Sequence, residues 1–515
     1  MHAIRHDPSG TALKATPGPA RFSGGSMKLN DPRLLRQYAY IDGKWTHGDG
    51  GREEAVVDPA TGEVLGHIPW LEAPQLRGAV DAADSAFVQW RALRADERAE
   101  RLLAWYDLLI EHREDLAIIM TREQGKPLPD ARGEVEYGAS FIKWFAEEGK
   151  RTFGQTIPSH IPNAALGTLK EPVGVAALIT PWNFPLAMIT RKAAAAMAAG
   201  CTVIVKPAGE TPFSALALAE LAERAEIPAG VFNVVLGEPA EVSQLLCDED
   251  RVKALSFTGS TRVGRLLLEQ SANSVKRVSL ELGGNAPFIV GPDMDPAEAA
   301  RAAVAAKFQT SGQDCLAANR VLVHESIHDE FVEQFVACME ALKVGNGLVT
   351  NIDLGPLIHQ QAVEKAAAIV DDAISRGATL VHGDQSMAPG PNFFMPTLLT
   401  GVTPYMKVWR EENFSPVAGI TAYKDDDEVI KLANDTEYGL AAYVYTHDIR
   451  RIWKLLRALE YGMVAINSVK MTGPPVPFGG VKQSGLGREG GTAGIEEYLE
   501  TKYYCLGALG SVSGS

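Results

Sequence analysis

VGVAALIT (173–180) and TVIVKP (202–207) are two short apolar runs separated by a segment with a helical period, and this arrangement decides the fold. The alternation continues along the chain. Further strands are predicted at FNVVLG (232–237) and ALSFTGS (254–260), and helices at 192–199, 213–225, 241–246 and from 261. Thr211 and Pro212 supply a cap and a first-turn proline for the second of these helices. Strands that alternate with helices are typical of crossovers in a parallel sheet, so this half predicts a nucleotide-binding type of α/β fold.

A second α/β region follows VSLELGGNAPFIVG (278–291), where the same alternation begins again. It contains a predicted alanine-rich helix at 296–308, a polar loop, the strand NRVLVH (319–324) and a helix that ends near 342. The late segment TKYYCLGAL (501–509) predicts an aromatic strand with no helix after it, which pairs elsewhere, a neighbouring subunit included. Two domains agree with a length of 515 residues, which exceeds what one hydrophobic core usually serves.

The composition excludes several classes of protein. With 49 basic and 64 acidic residues the net charge is −15, which disfavours nucleic acid and anionic membranes as partners. The longest apolar stretch, 193–205, is too short to span a bilayer. Five cysteines without a CxxC pair fit a reducing compartment, so we expect a cytoplasmic protein. Residues 1–28 are rich in Gly, Pro and Ser without a secretory apolar segment, and we expect them to be disordered, with Met27 as a candidate natural start.

Cys315 is the candidate nucleophile among the five thiols. It lies in SGQDC (311–315), a polar, glycine-containing loop between a predicted helix and a predicted strand, where a substrate can approach a thiol. The other four cysteines lie where a small buried hydrophobe is expected: Cys201, Cys247, Cys338 and Cys505.

Glu281 is a candidate general base, because it is a carboxylate inside the otherwise apolar strand VSLELGG (278–284). Desolvation there raises the pKa of a carboxyl group toward the range of a useful base. A structural ion pair with Arg277 is an equally good interpretation from local sequence alone. The two glycines that follow, Gly283 and Gly284, allow backbone and ligand to come close.

Two further motifs concern anions and metals. FTGSTRVG (257–264) turns a predicted strand into a helix whose N-terminus favours an anion, although a plain turn has the same pattern. HESIH (324–328) matches a zinc-protease string, but VLV before His324 predicts a strand and Ser326 a helix cap, so the two imidazoles diverge. No metal site is expected.

Seven segments together resemble the aldehyde dehydrogenase superfamily, and most closely its succinate-semialdehyde dehydrogenases. They are PWNFPLAMITRK (181–192), KPAGETPFS (206–214), FTGSTRVG (257–264), LELGGNAPFI (280–289), SGQDC (311–315), ENFSPV (412–417) and PFGGVKQSGLGRE (477–489). Their order and spacing run from about residue 30 to 505.

The resemblance implies a mechanism in which Cys315 attacks the aldehyde and forms a thiohemiacetal and then a thioester. The Cys315 amide and Asn183 would hold the oxyanion, Glu281 would activate the hydrolytic water, and Lys192 completes the catalytic set. The implied cofactor is NAD or NADP, held by Thr180, Trp182, Lys206, Gly209, Glu210, Gly259, Ser260, Gly264, Leu282, Glu412 and Phe414. The implied substrate contacts are Arg191, Phe184, Gln309, Lys470 and Phe478.

Three departures from the family pattern bear on selectivity. The position where NAD-preferring members carry a glutamate is Gly209, with Glu210 shifted by one, so NADP is a permitted cofactor. Semialdehyde members grip the distal carboxylate with two arginines; Arg191 matches the first, but Gln309 replaces the second, and Lys470 is a candidate replacement charge. Ala317 replaces the second cysteine near the nucleophile, so no local disulfide switch is expected.

The implied fold has an NAD(P)-binding domain (29–148 and 170–282), a catalytic domain (283–480) and a small β oligomerisation arm (149–169 and 481–510), and the arm implies a homodimer or homotetramer. The expected reaction is oxidation of a small anionic aldehyde such as succinic semialdehyde. A longer semialdehyde, a sulfonated aldehyde and a broad aliphatic range are the alternatives. The presence of Glu281 favours hydrolysis over acyl transfer to coenzyme A, and intact Cys315 and Asn183 speak against a catalytically silent protein.

Overall fold

The computed structural model describes residues 27–507, so the expectation of disorder at 1–28 lies almost wholly outside the described residues. The strands are β1 (Ala39–Ile41), β2 (Lys44–Thr46), β3 (Glu53–Val57), β4 (Val64–Pro69), β5 (Thr156–Ile157), β6 (Ala165–Pro172), β7 (Val175–Ile179), β8 (Thr202–Lys206), β9 (Phe232–Val234), β10 (Val252–Thr258), β11 (Arg277–Glu281), β12 (Pro287–Val290), β13 (Arg320–His324), β14 (Thr379–His382), β15 (Thr397–Thr400), β16 (Val417–Tyr423), β17 (Ala441–Tyr445), β18 (Met463–Ile466), β19 (Gly485–Leu486) and β20 (Leu499–Leu506).

The helices alternate with these strands from residue 187 onward, as the periodicity predicts. They are α1 (Ala73–Trp90), α2 (Ala95–Glu111), α3 (Arg113–Gln124), α4 (Leu128–Glu148), α5 (Ala187–Ala199), α6 (Pro212–Arg224), α7 (Pro239–Asp248), α8 (Thr261–Ser271), α9 (Pro296–Phe308), α10 (His328–Glu340), α11 (Gln360–Ser375), α12 (Lys407–Arg410), α13 (Asp426–Asn434), α14 (Ile449–Ala458) and α15 (Ala493–Glu496).

Two large sheets carry the fold. The first has eight strands in the order β19-β11-β10-β7-β8-β9-β1-β2, and the second has seven in the order β14-β15-β16-β13-β12-β17-β18. Strands β7 to β11 pair in parallel, and so do β12, β13, β15, β16, β17 and β18. Two parallel sheets covered by helices confirm the predicted α/β class with a Rossmann-type half and a second α/β half.

The register of the first sheet brings the predicted cofactor residues to one edge. Ile179 pairs with both Lys206 and Phe257, and Thr258 pairs with Glu281, so four strands end at the same level. Ligands of open α/β sheets bind outside the carboxyl ends of the strands. The loops after β7, β8, β10 and β11 therefore face one site.

A smaller sheet contains β20, β6 and β5 in that order, and β3 pairs with β4 in a hairpin. The late strand pairs antiparallel with β6 along its whole length, from Leu499 opposite Pro172 to Leu506 opposite Ala165. β5, most of β6 and β20 fall within the segments assigned to the arm and form this one sheet. Gly485 and Leu486, also assigned to that arm, pair with β11 in the eight-stranded sheet.

Two helix starts differ from the expected chemistry. Thr211 is the N-cap residue of α6, yet its side chain does not cap; the buried Glu123 carboxylate of α3 accepts from Phe213 N–H (2.7 Å) and Ser214 N–H (2.9 Å) instead. Ser326 is not the cap of the helix that contains His328. It lies in a single 3-10 turn, and Ile327 precedes the helix.

Alternation within the second sheet divides its core between two faces. Phe288 and Val290 pack with Val321 on one face, whereas Ile289 packs with Leu322 on the other. Successive strand residues point to opposite faces, so a fully apolar strand needs helices on both sides. Within residues 27–507 no helix is long and apolar enough to cross a membrane.

Candidate active site

A cavity of about 1440 Å³ lies between the carboxyl ends of the first sheet and the loop that carries Cys315. It brings together thirteen of the predicted site residues: Cys315, Asn183, Trp182, Phe184, Arg191, Gly259, Ser260, Leu282, Gln309, Glu412, Phe414, Lys470 and Phe478. The other seven lie outside the cavity wall: Glu281, Lys192, Thr180, Lys206, Gly209, Glu210 and Gly264.

The loop before Cys315 has a constrained backbone. Thr310, Ser311 and Gly312 follow one another with φ angles of 49°, 57° and 73°, a left-handed conformation that side chains rarely adopt. Ser311 Oγ donates to Gly355 O (2.8 Å), and Gln313 Oε1 accepts from Ile358 N–H (3.0 Å). These bonds hold the loop against the chain near Pro356, and the next residues present the thiol to the cavity.

Gly284 lies directly behind the nucleophile. A Cβ on this residue would stand 2.2 Å from the carbonyl oxygen of Cys315, so only glycine fits. Its N–H donates to Glu412 Oε1 (2.9 Å), which fixes the carboxylate at the cavity wall. The glycine pair after β11 therefore allows a close approach of Cys315 and Glu412, and the expected approach of a ligand stays a prediction.

The site has the two donors that an oxyanion requires. Asn183 Nδ2 donates to Gln313 O (3.0 Å), which orients the amide toward the nucleophile loop, and Lys126 Nζ fixes the Asn183 carbonyl (2.8 Å). For the Cys315 N–H, no acceptor is found among the described residues. An unpaired N–H beside a second donor can stabilise a developing negative charge.

The thiol of Cys315 resists ionisation in this environment. Burial raises its pKa well above the usual value, and the carboxylates of Asp314 and Glu412 raise it further, against the opposing charge of Arg191. A group that accepts the thiol proton is therefore needed at the site.

Glu281 is fully buried at the end of β11, and neither carboxyl oxygen has a hydrogen-bond partner in the described chain. Burial raises the pKa of Glu281 well above its usual value, with a contribution from the charge of Glu489. The alternative pairing with Arg277 is wrong, since that guanidinium donates to Leu499 O and lies beside Glu500. A Cβ on Gly479 would stand 2.8 Å from Glu281 Oε1, so the carboxylate packs on the 477–489 loop.

Behind Glu281 lies a buried ion cluster that the sequence analysis did not assign. Glu489 pairs with Arg191 Nε through its Oε2 (2.5 Å) and with Lys192 Nζ through its Oε1. Burial alone would raise the pKa of Glu489, but the two cations hold it below its usual value. Lys192 also donates to Ser256 Oγ (3.1 Å), and its charge lowers the pKa of Glu281.

Two nitrogens of the Arg191 guanidinium are already in contact with protein groups, although Arg191 lines the cavity. The Nε atom pairs with Glu489, Nη2 contacts Met188 Sδ (3.2 Å), and the guanidinium carbon lies 4.1 Å from the centre of the Phe478 ring. Gln309 and Lys470 are exposed at the cavity mouth. A bound carboxylate would thus meet positive charge from Arg191 in the cavity wall and from Lys470 at the cavity mouth.

The carboxyl ends of β7 and β10 fit a nicotinamide dinucleotide. The hydroxyls of Thr180 and Thr258 are buried without a partner within residues 27–507, and Ser260 Oγ caps α8 by accepting from Val263 N–H (3.4 Å). The rings of Trp182 and Phe414 meet edge to face with centroids 5.6 Å apart on the cavity wall. Unpartnered donors at a helix N-terminus beside aromatic walls suit a phosphate-linked ligand.

Gly264 allows a close contact between α8 and the residue that follows β11. A Cβ there would stand 2.4 Å from Leu282 Cδ2, so glycine lets α8 pack closely on the residue after β11. The pattern FTGSTRVG thus combines an anion-favouring helix start with close helix packing.

Sequence reasoning missed three residues of the site. Asp314 lines the cavity next to the nucleophile, Arg301 lines its mouth, and Glu489 holds the buried cations. Arg301 lies in α9 and Gln309 directly follows that helix, so no helical spacing in the sequence linked the two residues. Asp314 could have been identified from the sequence, because it is a charged residue that directly precedes Cys315.

The remaining cysteines and histidines agree only in part with expectation. Cys201 and Cys247 are buried as predicted, whereas Cys338 lines the cavity and Cys505 is exposed, so the prediction for Cys505 is wrong. His324 ends β13 and accepts from Ser326 N–H (3.2 Å), while His328 begins α10. The part of the chain that the structure describes contains no cluster of potential metal ligands.

Comparisons with known proteins bear directly on this site. The model of the aldehyde dehydrogenase family matches residues 45–504. A protein of Halomonas elongata named aspartate-semialdehyde dehydrogenase (non-phosphorylating) is 86% identical over 490 residues, covering 95% of this chain and 99% of that protein. The succinate-semialdehyde dehydrogenase [NADP(+)] of Escherichia coli is 52% identical over 93% of this chain and 100% of its own length.

A solved structure agrees with these sequence matches. The crystal structure of a succinate-semialdehyde dehydrogenase from Burkholderia pseudomallei superimposes with a TM-score of 0.92 at 51% identity, covering 93% of this chain and 99% of that one. With a loop cysteine, a facing asparagine and a buried glutamate on two parallel sheets, the chain belongs to the aldehyde dehydrogenase family.

Proposed function

We propose that this aldehyde dehydrogenase oxidises a four-carbon semialdehyde with a distal carboxylate to the dicarboxylic acid, and that aspartate semialdehyde is its preferred substrate. The observation that carries this choice is Asp314, a carboxylate in the substrate cavity next to the nucleophile. The 86% identical Halomonas relative, named aspartate-semialdehyde dehydrogenase, supports it.

Asp314 has an oxygen available for a cation. Its Oδ1 accepts from Leu316 N–H (3.0 Å), and its carboxylate lies within hydrogen-bonding reach of the Cys315 thiol. Within residues 27–507 no Lys, Arg or His forms a salt bridge with it. Burial raises the pKa of Asp314, because the surroundings disfavour its negative charge. A substrate ammonium would stabilise that charge.

Aspartate semialdehyde places an ammonium where this carboxylate can meet it. The molecule is succinic semialdehyde with an amino group on the carbon next to the carboxylate. The amino nitrogen is three bonds from the aldehyde carbon. With that carbon bonded to Cys315, the ammonium stays close to Asp314. The distal carboxylate extends toward the cations of the cavity, of which Lys470 and Arg301 lie at the mouth.

The proposed mechanism assigns each step to a residue of this chain. Glu281 turns from its buried position toward the thiol and accepts the proton of Cys315 as the sulfur bonds to the aldehyde carbon. The Cys315 N–H and Asn183 Nδ2 hold the oxyanion of the thiohemiacetal. NAD(P)+, held at the ends of β7 and β10 beside Thr180 and Ser260, would accept the hydride, and Cys315 would then carry a thioester.

Hydrolysis of that thioester completes the reaction. Glu281 first releases the proton that it took from the thiol. It then takes a proton from water as the hydroxyl adds to the thioester carbon, and the Cys315 thiolate leaves and is reprotonated. Lys192, Arg191 and Glu489 keep a fixed charge arrangement behind Glu281. Burial and the charge of Glu489 raise the pKa of Glu281 above its usual value, and the two cations oppose this rise. One aldehyde, one water and one NAD(P)+ thus give one carboxylate, one NAD(P)H and two protons.

The test compares two substrates that differ by the amino group alone. We expect kcat/KM for aspartate semialdehyde to exceed that for succinic semialdehyde, and Asp314→Asn to reduce this ratio by about tenfold, the loss of one charge-assisted hydrogen bond. Any effect of Asp314 on the thiol acts on both substrates and cancels in the ratio. A ratio that is unchanged in Asp314→Asn would contradict the assignment.

Three further assignments are proposals of the same kind. We propose the domain division given above, a cytoplasmic location, which the free state of the five cysteines supports, and a homodimer or homotetramer. β20 forms one edge of its sheet and exposes Tyr503 and Leu506, a surface that suits pairing with a second copy. Light scattering of the purified protein tests the oligomer; a monomer at micromolar concentration would contradict it.

A further inference from the structure

We infer that Glu54, on strand β3, selects NAD over NADP by accepting from the adenosine ribose hydroxyls and repelling a 2′-phosphate. Gly209 by itself leaves both cofactors open. The inference concerns the opposite end of the cofactor from the substrate cavity, and it is independent of which aldehyde is oxidised.

The carboxylate of Glu54 fills the space that Gly209 leaves. A Cβ built on Gly209 would stand 3.2 Å from Glu54 Oε2 and 3.5 Å from Oε1. A side chain from position 209 would therefore enter the volume that the Glu54 carboxylate occupies. The hairpin β3-β4 thus delivers an acidic group from a distant part of the sequence to this point.

Trp70 holds that carboxylate in place. Its indole Nε1 donates to Glu54 Oε2 (3.0 Å), and the guanidinium of Arg52 stacks over the indole, 4.0 Å from its centre. For Oε1 of Glu54, the described chain shows no donor. One oxygen is therefore fixed by the protein, and the other remains available to a ligand hydroxyl.

Lys206 lies near Glu54 and at the sheet edge to which the cofactor is assigned. It ends β8, next to the β7 end that leads into Trp182, and its Nζ donates to Pro207 O (3.0 Å). Burial lowers the pKa of Lys206, while the carboxylates of Glu210, Glu54 and Glu238 act in the opposite direction.

The local charge favours a neutral diol over a phosphate. The carboxylates around Lys206 outnumber the lysine, and a 2′-phosphate would add about two negative charges among them. An acidic residue at the ribose is the usual means of binding the 2′-hydroxyl of NAD, whereas NADP sites place an arginine there. Arg52 is the rival, because it lies just before β3, two residues before Glu54, and its guanidinium stacks on the same indole.

The experiment measures binding as well as turnover. We would titrate NAD+ and NADP+ into the wild-type enzyme and the variants Glu54→Gln, Trp70→Phe and Arg52→Ala by calorimetry, without aldehyde, and then measure kcat/KM for each cofactor. Glu53→Gln is the matched control, because it removes the same charge from the neighbouring exposed residue. Glu54→Gln keeps an acceptor for Trp70, so it changes charge without removing the hydrogen bond.

We expect wild-type enzyme to prefer NAD+ and Glu54→Gln to reduce the NAD+/NADP+ ratio of affinities at least tenfold. Trp70→Phe should reduce it less, because the carboxylate remains but is no longer fixed, and Glu53→Gln should leave it unchanged. The inference is overturned by a ratio that Glu54→Gln does not alter, by a wild-type preference for NADP+, or by Arg52→Ala selectively weakening NADP+ binding.

Discussion

Replacing Glu489 by glutamine is predicted to destabilise the protein far more than replacing an exposed glutamate. Glu489 is 5% exposed and pairs with two fully buried cations, Arg191 and Lys192. The amide has the same shape but no charge, so both cations would remain buried without a counter-ion. Removal of one partner from a buried ion pair costs about 3–5 kcal/mol.

This free energy converts to a change in melting temperature. The entropy of unfolding is about 2.1 cal/mol/K per residue, which gives roughly 1 kcal/mol/K for a chain of 515 residues. Glu489→Gln should therefore lower Tm by about 3–5 °C. The matched control is Glu496→Gln, since the Glu496 side chain is 45% exposed and pairs with Lys170 at 2.6 Å. An exposed pair contributes about 1 kcal/mol or less, and the control should shift Tm by about 1 °C or less.

Differential scanning fluorimetry measures both variants, and the pH profile of kcat provides a second readout. Burial raises the pKa of Glu281, and the charge of Glu489 raises it further. Removal of that charge lowers the pKa, so the acid limb of the profile should move to lower pH in Glu489→Gln. Equal Tm values for the two variants would refute the buried ion cluster, and an acid limb that moves upward would refute its coupling to Glu281.

Three further predictions follow from the site. Gly284→Ala should reduce kcat at least a hundredfold, because its Cβ would stand 2.2 Å from Cys315 O, and a steady-state assay checks this against a folded far-UV spectrum. Burial lowers the pKa of Lys307 to about 7. The unfolded chain keeps the Lys307 proton to a higher pH than the folded chain, so Tm should rise between pH 7 and 9. The rise of Tm with pH should be smaller in Lys307→Met. Asp314→Asn should speed alkylation of Cys315 by iodoacetamide at pH 8, because the Asp314 charge raises the pKa of the thiol; an unchanged rate would contradict this.

The parallel sheets were predictable because their signal is local. Apolar runs such as VGVAALIT and TVIVKP are short, bounded and alternate with helical periods, so strand and helix order could be inferred from the sequence. The start of α5 was less clear, since the structure places it at Ala187, five residues before the predicted start at Lys192. That helix is buried on all sides, and a helix without a polar face has no period to mark its boundary.

Side-chain partners were much harder to predict, because they join residues far apart in the chain. Nothing near Glu281 indicated that Glu489 lies behind it, and nothing near Gly209 indicated Glu54. The same limit applies to Thr211, where a local cap was expected and Glu123 supplies the acceptors. Individual catalytic residues could thus be predicted from the sequence. The charged neighbours that shift their pKa values could not, because the tertiary fold brings them together.

The most direct test of the central claim is a rapid-quench experiment on Glu281→Gln with succinic semialdehyde and excess NAD+. If Cys315 carries the thioester and Glu281 is the base in both steps, one equivalent of reduced cofactor per subunit should form more slowly than in the wild-type enzyme. Turnover should then nearly stop, because the thioester is not hydrolysed. Acid quenching followed by peptide mass spectrometry should find the acyl group on Cys315. Sustained turnover at the wild-type rate, or one equivalent of reduced cofactor with no acyl group on Cys315, would contradict the mechanism.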